Sequence, residues 1–178
     1  MRNTGGKNIV AIIGMTGCGK STVGSRVAAK LGWEFVDLDR YIEKKSGVTV
    51  REFFDSHGES SFRSAERDAL DEITSTQSVT RNTGGLIISC GGGAPVYKPT
   101  AELLRSRAYV VWLRRSPALV MQRERVMLRP PINGIPANYT ALYLRRKEIY
   151  RAVSDASVYN TSPSAAAAEM VRLIRCGN

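Results

Sequence analysis

The sequence predicts an α/β domain built on a parallel, helix-covered sheet, and three observations predict it. Short runs of apolar and β-branched residues alternate with segments of helical periodicity, the pattern of strand–helix–strand units. The runs are continuously apolar, as strands buried on both faces require. Two of them end directly in glycine-rich segments, 14–19 and 91–93, and parallel sheets bind ligands at the carboxyl ends of their strands. A length of 178 residues suits a single domain over 1–178.

Each element follows in order. Residues 8–13 read as a buried strand, followed by glycines at 14, 17 and 19. Val23, Val27, Ala28 and Leu31 share one face of a helix over 21–31, and Gly32 stops it. A second strand covers 33–37, and helices are expected over 41–45, 50–56 and 61–75. The polar stretch 76–85 reads as a loop. Residues 86–90 form a third strand ended by Gly91, Gly92 and Gly93, and a short helix over 100–106 leads to a fourth strand over 108–113. Pro117 opens a helix reaching to 127, because proline is tolerated in a first helical turn. Pro130, Pro131, Gly134 and Pro136 break any helix across 129–138. A long helix over 139–153, a weak fifth strand over 156–159 and a helix over 165–174 complete the chain.

Composition narrows the function. The chain carries 26 Lys and Arg against 16 Asp and Glu, a net charge of +10. The excess is concentrated in residues 105–178, where 13 basic side chains, 12 of them arginine, face 4 acidic ones. That balance points to polyanions or phosphorylated small molecules, and arginine adds a bidentate fork for phosphate and carboxylate. Aromatic residues make up 7% of the chain, too few for base-stacking platforms, so no nucleic-acid partner is expected. No apolar run reaches the roughly 18 residues of a membrane span, so no membrane partner is expected either. Three scattered cysteines and one histidine provide neither a disulfide framework nor a zinc set, and a reduced, cytoplasmic protein is expected.

The segment 14–21, Gly-Met-Thr-Gly-Cys-Gly-Lys-Ser, fits G-x-x-x-x-G-K-[ST] between a strand and a helix. Gly14, Gly17 and Gly19 let backbone N–H groups, Cys18 among them, turn toward phosphate oxygens, and the helix N-terminus adds its dipole. Lys20 would reach the β- and γ-phosphates of ATP, and the Ser21 hydroxyl would ligate Mg²⁺. The Cys18 side chain reads as filler rather than a redox switch, since a thiolate there would repel the nucleotide.

Three features describe an acceptor. Asp37 and Asp39 share a face if the chain is extended there, so one can hold Mg²⁺ through water while the other takes a hydroxyl proton. The alternative is that Asp39 simply caps the helix at 41–45. Glu66, three residues after Arg63, can orient that guanidinium toward a carboxylate, the alternative being a surface ion pair. Gly91, Gly92 and Gly93 allow a substrate to lie against bare backbone.

Taken together, GMTGCGKST, FVDLDRYIE, FFDSHGESSFRSAE, ISCGGG, RPP and RRKEIYR resemble the shikimate kinases along nearly the whole chain. The resemblance implies a three-layer sandwich with a five-stranded parallel sheet, the P-loop kinase fold with a mobile lid. It implies transfer of the γ-phosphoryl of ATP to the 3-hydroxyl of shikimate, with Mg²⁺, toward chorismate and the aromatic amino acids. It implies an acceptor-binding helical region at about 40–75, a lid at about 126–140, and a monomer. By the same resemblance Lys20, Asp39 and Arg129 are catalytic, with Asp39 as base and Arg129 neutralising the moving phosphoryl. Gly14, Gly17, Cys18, Gly19, Lys20, Ser21 and Thr22 hold phosphate, and Ser21 and Asp37 serve the metal, with Ser89 near its water shell. Arg123 or Arg125 stacks on adenine opposite Pro163. Arg63 and Arg146 clamp the shikimate carboxylate, Phe54 and Phe62 line the pocket, and Gly91, Gly92 and Gly93 offer backbone.

The chain departs from the family at Arg129-Pro130-Pro131-Ile132, where RPLL is usual; the extra proline stiffens the lid. The 129–146 interval is somewhat short, and Arg146 is preferred to Arg145 because of the following Ile149-Tyr150-Arg151. The loop after the fifth strand is shortened. Two other readings share the scaffold: a kinase of another small hydroxy acid such as gluconate, and a non-catalytic P-loop module. The FFDSHGESSFR segment and the triple glycine weigh against the first, and the intact set of Lys20, Asp39, Arg63, Arg129 and Arg146 against the second.

Overall fold

The computed structural model describes residues 8–75, 84–122 and 138–176. The elements in chain order are β1 (Ile9–Ile13), α1 (Lys20–Leu31), β2 (Glu34–Asp37), α2 (Leu38–Ser46), α3 (Val50–Ser75), β3 (Leu86–Ser89), a 3-10 turn (Ala94–Val96), α4 (Lys98–Arg107), β4 (Tyr109–Arg114), α5 (Pro117–Met121), α6 (Tyr139–Val153), β5 (Ala156–Tyr159) and α7 (Pro163–Cys176). All the strand pairings are parallel, in the order β2-β3-β1-β4-β5.

Side chains along each strand alternate between two apolar layers. Ala11, Ile13, Leu86, Ile88, Val110 and Trp112 face Leu70, Leu104, Tyr150 and Val153 of α3, α4 and α6. Val10, Ile12, Ile87, Val111 and Leu113 face Val23 and Val27 of α1 and Ala166, Met170 and Ile174 of α7. Each such fully buried aliphatic side chain contributes about 1.5–3 kcal/mol relative to exposure, so the central strands form a rigid platform. β1 lies between β3 and β4, the place where successive crossovers turn in opposite directions and a crevice opens at the strand ends. Both glycine-rich segments reach that crevice.

Several boundaries differ from expectation. The helix expected at 41–45 spans Leu38–Ser46, because Asp37 supplies its cap one turn earlier. The two helices expected at 50–56 and 61–75 are present as the two arms of α3, separated at Gly58 with φ 75° and ψ 171°. Glycine enters that left-handed region without the Cβ penalty. The 3-10 turn was not foreseen. The last helix begins at Pro163 rather than 165. The helix opened by Pro117 is described to Met121, and 123–127 lie outside the described residues, as do 76–83 and the lid residues 126–137. Among the described residues no helix is long and apolar enough to cross a membrane.

Candidate active site

The segment after β1 turns through Gly14, Gly17 and Gly19 at φ 144°, 80° and 101°. Lys20 opens α1, and its Nζ donates to the carbonyls of Gly14 and Met15, each at 3.0 Å. The ammonium therefore lies across the loop. Ser21 Oγ is 3.4 Å from Ser89 Oγ at the end of β3, which gathers two hydroxyls at the start of α1. Thr22 is exposed in the first turn of α1. Cys18 is 1% exposed, and burial pushes its thiol up from the ordinary 9.0 despite Lys20 nearby. A neutral buried thiol is a packing group.

Asp37 and Asp39 are not on one extended segment. Asp37 ends β2 and caps α2, accepting a hydrogen bond from the Arg40 backbone N–H at 3.4 Å. Asp39 lies in the first turn of α2. The capping role offered as an alternative for Asp39 belongs to Asp37. The physical reason is that an extended residue with a short side-chain acceptor satisfies the first orphan N–H groups of the helix.

Arg63 and Glu66 are buried, not a surface pair. Arg63 is 6% exposed and Glu66 0%. Arg63 Nη1 donates to Glu66 Oε2 at 2.8 Å, and Nη2 to Glu59 Oε1 at 3.2 Å. Burial pushes the Glu66 carboxyl up to about 7. The guanidinium of Arg63 opposes that shift, and Asp39 adds to it. The guanidinium carbon stands 5.6 Å from the Phe62 ring centre and 5.8 Å from that of Phe54, with the two rings 4.5 Å apart. Phe62 is 2% exposed, so it backs Arg63 from within the core, whereas Phe54 is half-buried.

The triple glycine has a steric cause at every position. A Cβ on Gly91 would lie 2.3 Å from Glu66 Oε1 and 3.0 Å from Asp39 Oδ1. One on Gly92 would lie 2.9 Å from Thr16 Oγ1, and one on Gly93 2.1 Å from Arg63 Nη2. Bare backbone thus lets the acidic pair, the phosphate loop and the guanidinium close on a single turn. Arg146 from α6 joins them, its Nη1 donating to the Gly92 carbonyl at 3.4 Å, while Arg145 is exposed. Tyr150 OH donates to the same carbonyl at 2.7 Å.

The crevice therefore brings together Lys20, Ser21, Asp39, Arg63, Gly91, Gly92, Gly93 and Arg146. Pro163 stands at the start of α7. Arg123, Arg125 and Arg129 lie outside the described residues. Sequence reasoning placed Glu59 in the acceptor feature without pairing it to Arg63, and missed Tyr139, Tyr150 and Asn160. Glu59 had a signal, its i,i+4 spacing to Arg63; the other three are tertiary contacts with none.

The model of the shikimate kinase family matches residues 16–175. The shikimate kinase of Sulfurihydrogenibium sp. (strain YO3AOP1) is 37% identical over 150 residues, 82% of this chain and 83% of the relative. Among solved structures, the shikimate kinase from Acinetobacter baumannii in complex with shikimate superposes with a TM-score of 0.84 at 31% identity, covering 96% of this chain and 94% of that one. A gluconokinase from Sinorhizobium meliloti 1021, at 17% identity and a TM-score of 0.51 over 99% of this chain and 93% of that one, shares the fold alone. With the crevice, the phosphate loop and these relatives in agreement, the chain belongs to the shikimate kinase family.

Proposed function

We propose that the protein transfers the γ-phosphoryl of ATP to the 3-hydroxyl of shikimate, giving shikimate 3-phosphate and ADP. The observation that carries this reading is the convergence of Arg63, Arg146 and Asp39 on the triple glycine beside the phosphate loop. Two guanidinium groups suit one carboxylate, and an aspartate at the same turn, its Oδ1 3.0 Å from where a Gly91 Cβ would lie, suits a hydroxyl. Phosphoryl transfer needs chiefly alignment and charge neutralisation, which a rigid sheet edge provides.

In this mechanism Arg63 and Arg146 hold the substrate carboxylate and so fix the ring. Glu59 and Glu66 hold Arg63 in turn, at 3.2 and 2.8 Å. Phe54 covers the ring's apolar face, and Gly91, Gly92 and Gly93 let it approach the backbone. Asp39 accepts the hydroxyl proton. Lys20 leaves the loop carbonyls for the β- and γ-phosphates. Arg129, on the lid at about 126–140, neutralises the moving phosphoryl, and Arg123 or Arg125 stacks on adenine opposite Pro163. Thr22 supports the α-phosphate.

The donors at the start of α1 fit Mg²⁺: Ser21 and Ser89 hydroxyls 3.4 Å apart, with the Asp37 carboxylate at the end of the strand beside β3. Magnesium is usually held by few protein oxygens, with waters and nucleotide phosphates completing its shell. When bound, the ion supplies charge neutralisation at the phosphates. One chain contains both half-sites, so a monomer suffices, and the unpaired Cys18, Cys90 and Cys176 suit a reducing cytoplasm. The test is ADP release with a panel of hydroxy acids. Turnover with shikimate and none with gluconate supports the assignment; turnover with gluconate, or none despite ATP binding, refutes it.

A further inference from the structure

The phosphate loop is held from behind by two side chains that belong to neither substrate site. Asn160, the residue after β5, is 0% exposed, and its Nδ2 donates to the Cys18 carbonyl at 2.7 Å. Its own backbone N–H donates to the Arg114 carbonyl at 2.7 Å, so it is fixed to the end of β4. The contact is close: a Cβ on Gly19 would lie 2.6 Å from Nδ2. On the other side Tyr139, the first residue of α6, donates its hydroxyl to the Thr16 carbonyl at 2.7 Å. Tyr139 is 9% exposed, and burial pushes its phenol well above its ordinary range, so it remains a donor.

In a trans peptide the carbonyl of one residue and the N–H of the next lie in one rigid plane and point in opposite directions. No cis peptide occurs among the described residues. Holding the Cys18 carbonyl toward Asn160 therefore turns the Gly19 N–H away from β5. Holding the Thr16 carbonyl toward Tyr139 likewise turns the Gly17 N–H away from α6. Glycines at 17 and 19, at φ 80° and 101°, make both peptides easy to rotate. Without an acceptor lock they would sample orientations that aim a carbonyl, not an N–H, at phosphate.

We propose that Asn160 and Tyr139 are positioning residues that lock two peptides of the phosphate loop with their N–H groups toward the nucleotide. The proposal rests on the ATP-site reading above. It separates nucleotide affinity from acceptor affinity, because the side-chain hydrogen bonds of Asn160 and Tyr139 go to carbonyls of the phosphate loop. It also gives α6 two duties: its first residue sets the phosphate loop, and its later Arg146 and Tyr150 hold Gly92.

The test uses the full chain with Asn160→Ala and Tyr139→Phe, the second preserving ring packing. ADP binding is measured by calorimetry, and KM for ATP and for shikimate by steady-state kinetics. Losing one buried hydrogen bond weakens ADP binding about tenfold in each variant and raises the KM for ATP alike. The KM for shikimate stays within about twofold. If Asn160→Ala does not fold, Tyr139→Phe decides alone. Unchanged ADP affinity in a folded variant, or an equal loss for shikimate, overturns the proposal. Failure of the unmodified protein to bind ADP refutes the ATP-site reading instead.

Discussion

Replacing Glu66 by Gln isolates the charge of a buried carboxyl without changing its shape. Glu66 is fully buried, faces Arg63 on its own helix, Asp39 from α2 and Lys20 from α1, and abuts Gly91. Its carboxyl sits at about 7 against an ordinary 4.5. A carboxyl raised on folding makes the native state bind more protons than the unfolded chain between those values. Its stabilising contribution is therefore complete below about pH 4.5 and is lost as the pH rises through about 7. Between about pH 5 and pH 7.5 the two titration curves diverge by roughly 2 kcal/mol. The Gln variant lacks this term, while carboxylates not coupled to Glu66 cancel in the comparison. Urea unfolding at both pH values should show the unmodified protein losing about 2 kcal/mol relative to Glu66→Gln on going to the higher pH. A difference independent of pH would refute the reasoning, since it would mean that Arg63 fully compensates burial.

Other expectations concern the acceptor site and the thiols. Asp39→Asn should lower kcat by roughly 10²–10⁴-fold with the KM for ATP unchanged, measured by coupled ADP release. Gly93→Ala should raise the KM for shikimate about tenfold, because its methyl would take the place of Arg63 Nη2 at 2.1 Å; the KM for ATP serves as the control. Titration of the native protein with a thiol reagent should modify Cys176 quickly and leave the buried Cys18 and Cys90 unmodified until urea is added.

The elements with the plainest physical signature were legible in the sequence. β-branched runs located β1, β3 and β4, and the glycine, lysine and serine spacing located the phosphate loop. The i,i+3 spacing paired Arg63 with Glu66, although burial, which makes that pair consequential, is a property of the packed α3. Boundaries set by capping were less legible: Asp39 is the cap the sequence offers for the helix at 41–45, and the fold gives that role to Asp37. The triple glycine was read as room for substrate, and the structure adds that Thr16, Glu66, Asp39 and Arg63 already crowd it. Asn160 and Tyr139 were invisible because their partners lie 142 and 123 residues away, beyond any local pattern.

The central claim is the destination of the phosphoryl group, and the product reports it directly. Phosphorus NMR of a reaction containing the protein, ATP, Mg²⁺ and shikimate should show one new ester signal coupled to the proton on carbon 3, with ADP formed in equal amount. An ester on another hydroxyl, or inorganic phosphate alone, would contradict the account.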